Sequence, residues 1–289
     1  MKYGIYYAYW AKEWGGDFIK YIPLVKRLGF DVLEVACGDF HTKDLDYFRK
    51  LKEHADEAGI ILTGGYGPRP EHNLASKDQK MVDKAFEFWA DVFNKMELAG
   101  INRIGGALYS YWPVNFAAGF DKQADIERSV ARMKKLADMA LVHGITLNME
   151  VLNRFEGYMM NTCVEGMDYV KRVNKPNVKL MLDTFHMNIE EDSLPDAIEE
   201  AGSLLGNFHV GEANRKPPFA EGRIPWIEIG KALEKINYQG YVVMEPFVLQ
   251  GGKVGQDISI WRDLFEDSSD ESLNEAAQKS VEYLREIWR

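Results

Sequence analysis

Thr146–Leu152 reads TLNMEVL, Thr162–Val173 reads TCVEGMDYVKRV, and Val178–Phe185 reads VKLMLDTF. The first and third runs are short and almost continuously apolar, as strands of a parallel sheet covered on both faces must be. The middle run is longer and mixes apolar with charged residues at helical spacing. Together they make a strand–helix–strand unit, and a parallel pair needs such a crossover.

The same alternation runs outward in both directions. Upstream, strands are predicted at Lys2–Tyr7, Asp31–Ala36, Ile60–Gly65 and Arg103–Leu108. Helical patterns over Phe18–Leu28, Leu45–Ala58, Lys77–Ala99 and Asp121–His143 follow them, each closed by a glycine at 29, 59, 100 or 144. Glycine there fits a helix C-terminus. Downstream, Leu205–Val210 and Tyr241–Phe247 complete the strands, with helices at Leu194–Ala201, Pro225–Ile236 and Leu273–Trp288. Eight strand-then-helix units with no strand left over predict closure into a (β/α)8 barrel. The aromatic run after the first strand, YAYWAKEWGG at 7–16, is not the glycine-rich phosphate loop of an open doubly wound sheet.

Composition agrees. A barrel of this kind needs about 250 residues, so the 289 residues present are expected to form a single domain over 1–289. A formal charge of −10 argues against a nucleic-acid or anionic-membrane surface. Cys37 and Cys163 form no CxxC pair, so both are expected to be buried apolar residues in a reducing compartment. With no signal-like N-terminus and no stretch of about 20 apolar residues, the expectation is a cytoplasmic protein.

Active sites of such barrels lie at the carboxyl ends of the strands. There the apolar runs close on ionisable groups: Glu150, Asp183, His209 and Glu245, from strands five to eight. Any one alone reads as a capping or loop-bonding group. A charge beside an apolar barrel is costly unless paired or metal-bound, and four in successive units point to a shared ion. Three carboxylates and one imidazole suit Mn²⁺, Mg²⁺ or Co²⁺, with positions left for substrate oxygens and the metal acting as Lewis acid. Around them lie Arg154 and Glu156 after strand five, His186 after strand six, and Glu212 and Arg215 after strand seven. Of these, His186 and Arg215 are candidates for hydrogen bonds to sugar hydroxyls. Tyr6, Trp14, Trp112 and Phe247 are expected near the strand ends, as a hydrophobic pocket whose rings stack on sugar C–H faces. Tyr3, Phe88 and Trp89 are assigned to the core, and His41, His54, His72 and His143 to the surface.

At these residues the chain resembles a known family. YGIYYAYW (3–10), GGALYSYWP (105–113), EVLNRFE (150–156), MLDTFHMNIEED (181–192), VVMEPF (242–247) and WRD (261–263) are similar to the D-tagatose 3-epimerase family, most closely its D-psicose (D-allulose) 3-epimerase members. The resemblance covers nearly the whole chain. It implies a xylose-isomerase-like (β/α)8 TIM barrel that uses Mn²⁺ or Co²⁺ on ketohexoses such as D-fructose and D-psicose. It implies Glu150, Asp183, His209 and Glu245 as metal ligands, with Glu150 and Glu245 also the acid–base pair. Tyr6, Ala107, Glu156, His186 and Arg215 match substrate-contacting positions, and a homo-oligomer, dimer or tetramer, is implied. The loop KPPFAEGR at 216–223 and the segment ACGDFHTKD at 36–44 depart from the family pattern.

The expected chemistry is removal of the C3 proton beside the C2 carbonyl and its return on the opposite face, through an ene-diolate. The rival within the superfamily is an aldose–ketose isomerase, which moves the proton between C1 and C2. An abasic-site endonuclease would want a histidine-rich three-metal site and a basic groove. A non-catalytic sugar-binding protein would not need carboxylates paired beside a metal.

Overall fold

In the computed structural model, which describes residues 1–288, eight parallel strands close into a barrel. They are β1 (Lys2–Tyr6), β2 (Val32–Ala36), β3 (Ile61–Gly65), β4 (Arg103–Gly106), β5 (Thr146–Glu150), β6 (Val178–Asp183), β7 (Leu205–Val210) and β8 (Tyr241–Met244). Each pairs with its sequence neighbour, and β1 pairs with β8 to shut the ring. The xylose-isomerase-like TIM barrel expected from the alternation is the fold observed.

Several strands are shorter than the apolar runs suggested. Runs expected to reach Tyr7, Leu108, Leu152, Phe185 and Phe247 leave the sheet after Tyr6, Gly106, Glu150, Asp183 and Met244. Beyond these points Tyr7, Leu108, Leu152 and Phe247 are buried above the barrel and Phe185 is half-buried in a helix, so hydrophobicity persisted where pairing did not. At strand six the cause is local. The Asp183 carboxylate accepts the Phe185 N–H at 2.7 Å, and this cap starts a helix at Thr184.

The helices are α1 (Tyr21–Arg27), α2 (Leu45–Ala58), α3 (Gln79–Leu98), α4 (Lys122–Val142), α5 (Cys163–Val173), α6 (Thr184–Glu190), α7 (Leu194–Ala201), α8 (Trp226–Lys235), α9 (Gly252–Asp257) and α10 (Asp270–Ile287). Most of their N-termini are closed by side chains: Asp44, Asp78, Asp121, Ser193 and Ser269 cap α2, α3, α4, α7 and α10, and Thr162 with Glu165 forms a capping box on α5. Gly59 ends α2 in the left-handed conformation at φ 65°. Neither α6 nor α9 was expected; both are one-turn to two-turn helices inside βα connections, too short for a periodicity to show. The acidic stretch 266–271 is partly helical, since α10 already begins at Asp270.

Strand side chains alternate between two layers. Leu33, Val35, Leu147, Met149, Leu180, Leu182 and Phe208 are fully buried and pack outward under the helices. Residues between them face the barrel axis. Cys37 and Cys163 are buried and unpaired. Among the described residues no helix is long and apolar enough to cross a membrane. Tyr3 and Trp89 lie in the core as assigned, and Phe88 packs against it half-buried. The surface assignment of His72 is corrected. Its ring stacks on Phe88 at 3.7 Å, Nδ1 lies 2.7 Å from the Tyr66 hydroxyl, and burial pulls its pKa down to about 4.

Candidate active site at the carboxyl ends of the strands

Register alone decides which residues meet. Partners in adjacent parallel strands point to the same face, as do residues two apart on one strand. Asp183 pairs with His209, and Glu150 pairs with Met181, two residues before Asp183. His209 pairs with Val243, two before Glu245. Continuing past β8, Tyr6 pairs with Glu34 and Glu34 with Thr63. Glu150, Asp183, His209 and Glu245 therefore all face inward at the top of the barrel. One ligand atom from each lies within 4.8 Å of the others.

The barrel mouth opens above them as a cavity of about 520 Å³. Of the twelve residues expected as metal ligands, substrate contacts or pocket wall, all but Asp183 line it. Asp183 is 1% exposed, and its Oδ2 is buried without a hydrogen-bond partner.

The donor set is unfinished without a cation. Glu150 Oε1, Asp183 Oδ2 and His209 Nδ1 are buried and have no hydrogen-bond partner. Buried polar atoms are nearly always satisfied, and unpaired ones are costly. Glu34, Glu150, Glu156, Asp183 and Glu245 bring five carboxylates to the floor of the pocket, where Arg215 is the buried guanidinium among them. Burial raises the Glu150 pKa; His186, whose Nε2 lies 3.6 Å away, works against the rise and the charge of Glu245 adds to it. A divalent cation at the shared focus would satisfy the orphaned atoms and offset this charge. The oxygen-rich set with one imidazole is of the right chemistry for such an ion.

Arg215 binds the site together. Its NH1 is 3.1 Å from Glu245 Oε2 and 3.8 Å from Asp183 Oδ2, while NH2 donates to Glu156 Oε1 at 3.1 Å. The guanidinium carbon sits 3.7 Å over the Phe185 ring. Its backbone is left-handed, at φ 66°, a conformation a residue with a Cβ rarely adopts. Three backbone hydrogen bonds hold it there: Arg215 N to Glu212 O, Glu212 N to Lys216 O, and Phe247 N to Arg215 O. Strain of this kind collects where a side chain must be aimed.

The proton on His186 is assigned by its neighbours. The backbone N–H of Asn153 donates to Nδ1 at 3.2 Å, and a backbone amide can only donate. A neutral His186 thus carries its hydrogen on Nε2, which faces Glu150 Oε1 at 3.6 Å and the cavity. Glu156 receives Asn153 Nδ2 at 3.1 Å and Trp112 Nε1 at 3.3 Å. Burial opposes its charge, but the positive charge of Arg215 prevails and its pKa is lowered.

The aromatic wall is assembled from distant segments. Trp14 meets Trp112 and Phe247 edge-on with centroids 6.1 Å apart, and Tyr6 lies 6.2 Å from Phe247. The Trp14 indole N–H donates to Asp257 Oδ2 at 2.9 Å, and Val254 N donates to Lys12 O at 3.0 Å. The segment after β8, including α9, is thereby strapped to the loop after β1.

Two sequence candidates lie elsewhere. Arg154 points to solvent and pairs with Glu190, with NH2 2.7 Å from Oε2. Glu212 accepts from Arg223 N and Trp226 Nε1, closing the loop after β7. Sequence reasoning overlooked Glu34, which lies in the cavity with Oε1 2.7 Å from His209 Nε2. The available signal was a carboxylate inside the apolar run DVLEVA. Asn153 and Asp257 were also overlooked.

Comparison with known proteins identifies relatives of the same fold. Residues 22–287 match the family described as xylose isomerase-like TIM barrel. The chain is 49% identical to the D-psicose 3-epimerase of Enterocloster bolteae, over 100% of this chain and 96% of that protein. It superposes at a TM-score of 0.98 on D-psicose 3-epimerase with D-tagatose from Clostridium cellulolyticum H10, at 48% identity over the whole of both chains. A D-psicose 3-epimerase structure determined in the presence of D-fructose matches at 0.97 and 46% identity, over 100% of this chain and 99% of the other.

Proposed function

The chain belongs to the xylose isomerase-like TIM barrel family and, within it, to the ketose 3-epimerases, which are isomerases; from that premise we propose that it interconverts D-fructose and D-psicose, and related ketoses, by moving the proton at C3. The observation that carries this reading is the set of orphaned inward atoms on Glu150, Asp183 and His209, gathered with Glu245 beside an aromatic wall.

Glu150, Asp183, His209 and Glu245 would hold one divalent cation, with Mn²⁺ proposed and Co²⁺ or Mg²⁺ as alternatives. When bound, such an ion supplies Lewis-acid stabilisation of the negative charge that develops on the ketose oxygens. Glu150 and Glu245 are the proposed proton-transfer pair. They rise from β5 and from the end of β8, at separate points on the rim of the cavity. One carboxylate takes the C3 proton and the other returns a proton on the opposite face, and reversing the reaction exchanges the roles. His186, with its hydrogen on Nε2, and Arg215 are proposed to hold the oxygens at the carbonyl end. Glu156, fixed by Asn153, Trp112 and Arg215, is proposed to take a neighbouring hydroxyl. Tyr6, Trp14, Trp112 and Phe247 would cover the rest of the sugar and exclude water, with Ala107 leaving it room.

The neighbouring exposed rings of Phe116 and Phe120, with centroids 6.3 Å apart, support the homo-oligomer, dimer or tetramer, proposed. Two buried unpaired cysteines are compatible with the cytoplasmic placement proposed. The test is product analysis. The metal-stripped chain is incubated with D-fructose before and after reloading with Mn²⁺, and sugars are separated by chromatography. Mn²⁺-dependent D-psicose is expected; an aldose instead would assign the chain to the isomerases, and no conversion would remove the catalytic reading.

A further inference from the structure

We propose that Glu34 is a positioning residue for the metal centre, holding the imidazole of His209 so that Nδ1 is the nitrogen offered to the cation. The inference rests on the reading of Glu150, Asp183, His209 and Glu245 as a metal site.

Glu34 sits within β2, 1% exposed, with its side chain directed into the barrel. A carboxylate in that position must be compensated by what it touches. It has two partners. Thr63, its register partner on β3, donates its hydroxyl to Oε2 at 3.0 Å. The other oxygen, Oε1, lies 2.7 Å from His209 Nε2, a contact bent from the ideal hydrogen-bond line. Both strands are fixed by barrel pairing, so the carboxylate has little freedom to leave.

The consequence for His209 is chemical. An imidazole can ligate through either nitrogen, and the hydrogen bond made by one decides which lone pair is free. With the hydrogen on Nε2 attracted to Glu34, the lone pair is left on Nδ1. Neither ring nitrogen is in hydrogen-bond geometry, but Nε2 is turned to Glu34 while Nδ1 lies 3.6 Å from Glu245 Oε1, on the side of the shared focus. Thr63, Glu34 and His209 thus form a line of contacts ending at the proposed metal. Outer carboxylates of this kind orient a histidine ligand and raise its basicity.

The test measures metal uptake directly. Metal-stripped wild type, Glu34→Gln and Thr63→Val are titrated with Mn²⁺ by calorimetry and loaded with Co²⁺ for visible absorption. Circular dichroism and gel filtration check folding. Glu34→Gln is expected to bind Mn²⁺ about 10–100-fold more weakly, with an altered Co²⁺ spectrum. Thr63→Val, which leaves the carboxylate in place but less anchored, is expected to lose less in the same direction and serves if Glu34→Gln does not fold. Wild-type affinity and an unchanged Co²⁺ spectrum in the variants would overturn the assignment. So would a raised KM at unchanged metal affinity, since Glu34 would then be a sugar contact. In both cases the wild type still binds metal and the proposed function stands. A wild type that takes up no divalent cation would instead bring down the reading beneath.

Discussion

Asp183 and His209 are register partners on β6 and β7, so their side chains leave the sheet on one face at one height. Backbone pairing, rather than any direct bond between them, sets this. The same arithmetic brings in Glu150 from β5 and Glu245 from the end of β8. Three groups on strands and Glu245, one residue past β8 but still bonded through its N–H to Val210 O, can therefore share one focus, a rigidity suited to the proton transfer proposed.

Glu150→Gln and Glu245→Gln should each lower kcat by about 10²–10⁴-fold, the usual contribution of a positioned acid or base. The amide keeps an oxygen for a metal, so Mn²⁺ content, measured in parallel, should fall far less than turnover. A variant with undiminished kcat would remove that residue from the proton-transfer pair.

Arg215→Lys should reduce kcat/KM by about 10–100-fold, because hydrogen bonds to charged groups are worth roughly 1.5–3 kcal/mol and an ammonium cannot span two carboxylates as a guanidinium does. Glu156 and Glu245, now bridged by Arg215, would lose their common partner. Steady-state kinetics with D-fructose at saturating Mn²⁺ reads the effect. Unchanged kinetics would mean that the left-handed backbone at this position aims the side chain at nothing the reaction needs.

Asp257→Asn leaves Trp14 with a weaker, uncharged acceptor. KM should rise several-fold while kcat moves less, since in the proposed function the wall covers the sugar away from the reacting carbon. Loosened packing of Trp14 should also change the tryptophan emission. Equal KM and unaltered fluorescence would show that the strap does not shape the pocket.

His72 gives a pH dependence of stability with a definite sign. Its folded pKa, pulled down to about 4 by burial, lies below the usual value near 6.5. Protonation therefore favours the unfolded chain. The stability linked to neutral His72 is complete above about pH 6.5 and is lost progressively as pH falls towards 4. Chemical denaturation across this window should show a shallower decline in His72→Gln than in the wild type. Identical slopes would mean that the ring against Phe88 titrates normally.

Much of this was legible in the chain. The eight strands, the glycines that close four of the helices and the four inward candidate ligands follow from patterns of a few residues, because a parallel barrel repeats one unit and ends each strand at the same mouth. What escaped depended on distance. Trp14 and Asp257 are 243 positions apart, and nothing near either announces the contact. Arg154 and Arg215 look alike as loop arginines, yet the first turns to solvent and the second is buried on Phe185. Glu34 falls inside a strand rather than at its end, where a search confined to strand ends does not reach. The strand termini were misjudged for a related reason: loops above the barrel are apolar because they roof a pocket.

The most direct test of the account is calorimetric titration of the metal-stripped chain with Mn²⁺, alongside Asp183→Asn. One ion per chain in the wild type, with binding sharply weakened in the variant, is the predicted result. No uptake at millimolar Mn²⁺, or equal uptake by the Asp183→Asn chain, would contradict the claim that these four strand-end groups form a cation site.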